Sequence, residues 1–126
     1  MLLKKGLLIL SFLTISVIAF LYGISPPWFF ETMLVDAPAP NTDQAHILRA
    51  VMTLYLALGM FWLYCAFSDS LRDTGIIVLA IFCGGLVVGR ILSVMIDGIP
   101  SPILLVYIGM ELGLVPICVW VLRRDG

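Results

Sequence analysis

Histidine is almost missing from this chain, and charge is scarce. There is one histidine, His46, and only 12% of the 126 residues are charged. A single histidine excludes a bis-histidine haem site and a His-rich metal centre. The net charge is −1, with no Lys/Arg run and no interleaving of basic and aromatic residues. That gives no basis for a nucleic-acid partner. The cysteines are Cys65, Cys83 and Cys118, one in each of three apolar segments and without C-x-x-C spacing. They read as small apolar packing residues, not as a disulfide framework or a metal site. A Gly-rich phosphate loop, G-x-S-x-G and H-E-x-x-H are all absent, and with them the usual marks of catalysis. No metal, no cofactor and no enzymatic activity are therefore expected. An intramembrane enzyme would need a nucleophile or metal that the sequence does not offer.

What the chain has is apolar mass. It is 62% hydrophobic, with a mean hydropathy of +1.15. A soluble domain of this size has too much surface to hide so much apolar side chain. A bilayer is the solvent that fits. Four segments, at about 6–24, 47–67, 75–96 and 103–122, are long enough to span, since a helix crosses the hydrocarbon core with about 20 apolar residues. Helices are expected because lipid cannot satisfy an open backbone. The expected fold is thus all-α: one integral membrane domain over 1–126, an antiparallel up-down four-helix bundle. The first segment has a signal peptide as its alternative, because Lys4 and Lys5 make a basic leader. Its apolar run is too long for that, and no A-x-A site follows.

Lys4, Lys5, Arg72, Arg123 and Arg124 fall on one side of such a bundle, and Glu31, Asp36, Asp43 and Asp97 on the other. The positive-inside rule then puts both termini in the cytoplasm. Ser25-Pro26-Pro27 suits a helix start, so "WFFETML" is either a short interfacial helix, with Trp28 and the two Phe at headgroup level, or a plain loop. Asn41 with Gln44 resembles a capping box for the second span. Asp69 or Ser70 can cap the third, and Gly98 can close it in a left-handed turn. Ser101-Pro102 starts the fourth, so the last two spans form a tight hairpin.

Arg90 lies nine residues before Ile99 in that turn and Glu111 twelve after it. At 1.5 Å per residue both sit roughly 10–12 Å inside the outer boundary. Arg49 of the second span is only slightly shallower. Each buried charge costs up to ~2.5–3.5 kcal/mol at mid-membrane, so three at one depth argue for a cluster, Arg49–Arg90–Glu111. Asp97 shares a helix face with Arg90, Tyr107 precedes Glu111 by one turn, and Thr53 follows Arg49 by one turn. These three are expected in the same network. Pro116 removes a helix bond beside Glu111 and makes room there. Such a cluster either locks the helices in register or, with two guanidiniums against one carboxylate, binds an anionic lipid or small ligand. A second pattern is glycine. Gly85, Gly89 and Ser93 recur every four residues on the third span, and Gly109 and Gly113 on the fourth. Small-xxx-small stripes bring membrane helices together, here within the hairpin or between copies of the chain.

"LRAVMTLYLALGMFWL" at 48–63, "GRILSVMIDGIPSP" at 89–102, the "LYGISPPW" exit from the first span and Glu111 together resemble a bacterial four-span family, domain of unknown function 4345. The resemblance falls on Arg49, Gly89–Arg90, Asp97–Gly98, Pro100–Ser101 and Glu111. It implies a four-helix membrane fold in a bacterial inner membrane and no particular activity. Two roles follow from the chain as a whole. One is a non-enzymatic accessory subunit beside a membrane protein partner or in a homo-oligomer, since little mass lies outside the lipid bilayer. The other is a binding or transport module for a lipid-like or small anionic ligand at the Arg/Arg/Glu site.

Overall fold

The structure is a computed structural model and describes residues 2–124. Among these residues there are five helices and no strand: α1 (Leu2–Gly23), α2 (Pro26–Met33), α3 (Thr42–Ala66), α4 (Arg72–Asp97) and α5 (Pro102–Arg124). All but α2 are long and apolar enough to cross a membrane. Their outward faces carry the large apolar side chains that a water-soluble protein buries. On α4, Ile81, Val88 and Met95 recur every seventh residue along one such face.

The caps show how the sequence sets the helix ends. Asn41 Oδ1 accepts from the Gln44 amide at 2.8 Å, and Gln44 Oε1 accepts from the Asn41 amide at 3.0 Å, completing the expected capping box. The short helix after the first span is present as α2, but Ser25 caps it by position without a side-chain bond. Phe29 does not face outward: it is buried edge-on against Tyr22, 4.8 Å away, while Trp28 stays half-exposed. Neither Asp69 nor Ser70 caps α4. That place falls to Leu71, because Asp69 pairs with Arg72 at 3.0 Å. Gly98 ends α4 at φ 101°, ψ −170°, an extended conformation open only to glycine and not the left-handed helical turn. Ser101 Oγ then accepts from the Val35 amide at 3.0 Å, tying the chain after α2 to the α4–α5 turn.

The helices do not pack simply in chain order. α1 lies along α3 as the most extensive pairing and also touches α4 and α5, while α4 and α5 form the hairpin. Glycines set the close approaches. A side chain at Gly59 would meet Ile15 at 3.0 Å and Phe12 at 3.4 Å, and one at Gly23 would run into Met52. One at Gly75 would meet the Cys65 Cβ at 2.7 Å, which fixes α4 against α3. Cys65, Cys83 and Cys118 are free thiols, all buried, and so act as the small packing residues expected of them.

The end of the bundle that holds Leu2 and Arg124 is fastened by charge. Lys4 is buried and pairs with Asp73 at 2.6 Å. This draws α1 back to Leu2, ahead of its apolar stretch. Arg72 donates from Nε and Nη2 to the Ala66 carbonyl at 3.2 and 3.0 Å, satisfying an orphan carbonyl at the end of α3.

Candidate functional site

The polar site sits where the α4–α5 hairpin meets α1. Arg90 Nε donates to both carboxylate oxygens of Glu111, at 3.2 and 3.0 Å. The two side chains are 19% and 12% exposed, so the pair is largely withdrawn from its surroundings. The Arg90 guanidinium also lies over the Tyr107 ring, 5.7 Å from its centroid, a cation–π contact that strengthens when water is excluded. Tyr107 meets Tyr22 of α1 edge-on at 5.9 Å. From Tyr22 a column of rings continues inward: Tyr55 at 6.2 Å, then Phe82 at 5.3 Å from Tyr55, then Trp62 at 5.4 Å from Phe82.

Beside this column runs a cavity of about 310 Å³. Arg90, Glu111 and Tyr107 line one end. Ser11 and Trp62 line the other, and aliphatic side chains of α1, α4 and α5 make most of the wall between. Three buried polar atoms have no hydrogen-bond partner: Ser11 Oγ, Trp62 Nε1 and the Tyr107 hydroxyl. All three residues line this cavity. Buried polar groups are nearly always paired, so three unpaired ones among the residues that line a single cavity are unusual. The lining also includes Leu10, Gly109, Met110 and Gly113, which are exposed on the outside of the bundle. The cavity is therefore open sideways between α1 and α5, where the helices barely touch.

The sequence cluster is only partly assembled. Arg90, Glu111 and Tyr107 come together. Arg49 does not join them: it is exposed on α3, in a shallow groove with His46 and Thr53. Tyr22 of α1 stands beside Tyr107 in its place, because α3 turns Tyr55 and Trp62 toward the site and the Arg49 side away from it. Thr53 is exposed, and its hydroxyl donates back to the Ala50 carbonyl at 3.0 Å. Asp97 is exposed and accepts from Ser93 Oγ at 2.7 Å, not from Arg90. The glycine stripes do not serve the hairpin, which leaves their other reading, contact between chains. Gly85, Gly89, Gly109 and Gly113 have nothing within 4 Å of an added Cβ, so they do not close the hairpin, and Gly85, Gly89 and Ser93 face outward.

Residues 3–122 match the family model described as Domain of unknown function (DUF4345). The chain belongs to that family. No curated protein and no solved structure matches it. The family resemblance read from the sequence is thereby confirmed. In this DUF4345 chain the residues that sequence reasoning passed over are Tyr22, Tyr55, Ser11 and Trp62. Each is a polar-tipped side chain inside a span predicted to be buried apolar, and that was the one signal that pointed to them.

Proposed function

We propose that this membrane protein binds a lipid-like small molecule inside its helix bundle, in the cavity headed by Arg90 and Glu111. The observation that carries this reading is the coincidence of one cavity with three lining residues whose buried polar atoms have no partner. An apolar concavity with a few convergent polar groups is the usual make-up of a small-molecule site, and 310 Å³ lies at the small end of that class. The role we propose is binding or transfer. With Arg49 outside, one guanidinium faces one carboxylate. The charge argument for a net anion falls away, and Arg49 in its surface groove is left as a contact for lipid headgroups.

The distribution of cations supports a cytoplasmic location for both termini in a bacterial inner membrane, with Lys4, Lys5, Arg72, Arg123 and Arg124 at one end of the bundle. A second reading, an accessory subunit docked on another membrane protein, is favoured by one feature. The outward Gly85–Gly89–Ser93 face is unfilled, with nothing within 4 Å of either glycine.

The test is native mass spectrometry of the protein extracted mildly from its own membranes. A small molecule retained at one per chain, and lost from the R90Q/E111Q double variant, supports binding. A stoichiometric partner protein with no retained small molecule favours the accessory role and counts against the cavity.

A further inference from the structure

The shape of the cavity and the positions of its unpaired atoms say what kind of molecule fits, given the binding role proposed above. Its lining runs from Leu79 to Arg90 on α4 and from Tyr107 to Ile117 on α5, roughly 15–16 Å at 1.5 Å per residue. A volume of about 310 Å³ drawn out over that length suits a slender, chain-like guest.

The two ends differ in chemistry. At the Arg90 end the charges balance, so a net anion would add an uncompensated negative charge beside Glu111. An uncharged hydroxyl or carbonyl oxygen can share both partners and also meet the Tyr107 hydroxyl. At the other end, Ser11 and Trp62 lie at one level: Gly59 sits against Ile15 and Phe12, and one turn further along α3 brings Trp62 beside Ser11. Trp62 Nε1 is a donor and nothing else. It lacks an acceptor, and the chain among the described residues supplies none.

We infer that the occupant is a single-chain amphiphile with two polar positions: an uncharged head at Arg90, Glu111 and Tyr107, and a hydrogen-bond acceptor near its far end that meets Trp62 and Ser11. It reaches the site from the lipid, through the gap between α1 and α5.

Trp62 is its own reporter once the other tryptophans, Trp28 and Trp120, are replaced by Phe. Both of those are about half-exposed and lie outside the cavity. The W28F/W120F protein in phosphatidylcholine nanodiscs is titrated with dodecane, dodecan-1-ol, dodecane-1,12-diol and dodecanoate, compared at equal bilayer mole fraction. The diol is expected to bind about ten-fold tighter than the mono-alcohol, the size of effect one added hydrogen bond brings. The mono-alcohol should in turn bind more tightly than dodecane and dodecanoate. Adding Ser11→Ala should reduce the advantage of the diol. That change removes a hydroxyl that has no partner in the empty protein, so it does not threaten folding. If the alcohols bind but the diol gains nothing, or dodecanoate binds best, the inferred ligand chemistry is wrong while the binding role stands. If no probe changes Trp62 emission, both are wrong.

Discussion

Arg90 reaches Glu111 through Nε alone, which donates to both carboxylate oxygens of the same side chain. The side-on geometry leaves the terminal nitrogens of the guanidinium outside the ion pair. They lie toward the tyrosines and the cavity that Arg90 lines. An Arg–carboxylate pair built for stability alone would be expected to use the bidentate fork.

Breaking this pair from one side should cost more than removing it. Arg90→Gln or Glu111→Gln alone leaves a partly buried charge uncompensated and is expected to lose about 3 kcal/mol of stability. The R90Q/E111Q double variant should lose less than either single change. Thermal unfolding of all four proteins in one detergent gives the coupling. Strictly additive losses would mean that the two side chains do not act as a pair.

Glycine positions should separate sharply. Gly75→Leu forces a side chain into Cys65, whose Cβ stands 2.7 Å from the new atom, and is expected to unseat α4 from α3. Gly85→Ala meets open space and should be neutral or raise stability by up to about 1 kcal/mol through helix propensity. Equal loss of folded protein from the two changes, by size-exclusion profile, would contradict the packing described.

Arg49→Gln should leave probe binding at the cavity unchanged. The residue is exposed and belongs to a separate groove. In the W28F/W120F background its dodecane-1,12-diol titration should superimpose on that of the parent. A several-fold loss of affinity would bring Arg49 back into the site.

Gly113→Leu should slow loading and leave the fold intact. An added Cβ there has nothing within 4 Å, so the helix tolerates it, but the longer side chain fills the gap between α1 and α5. Stopped-flow mixing with dodecan-1-ol, read on Trp62, is expected to show an association rate several-fold lower. An unchanged rate would place the access route elsewhere.

Much of this architecture was legible in the sequence, and the errors have one cause. Helix ends were readable where a local bond decides them, as in the Asn41–Gln44 box. The Arg90–Glu111 pair was readable because a short turn near Ile99 fixes two neighbouring helices in depth. Arg49 was misassigned because depth can be counted along a span, whereas the face a helix turns inward depends on which neighbour it meets. α3 does lie against the site, but it presents Tyr55 and Trp62 there and leaves Arg49 exposed. The glycine stripes do not close the hairpin, for the same reason. Repeated spacing drew attention to Gly85 and Gly89, whereas the helices close on single glycines, Gly59 and Gly75, that form no motif. Tyr22 and Trp62 carried a signal in their polar tips, but only a folded bundle shows that Trp62 Nε1 has nothing to bond.

The seam between α1–α3 and the α4–α5 hairpin has one more consequence. The cavity lies along that seam, so whatever fills it touches both halves and acts as mortar between them. By mass action, an occupant that binds only the closed bundle adds its own free energy of binding to assembly. A newly inserted chain would then mature in two steps: α1 with α3 first, and the hairpin sealed against them when a lipid-derived guest arrives. Membrane composition would in that case govern how much of this protein exists in finished form, and not only how much of it is occupied.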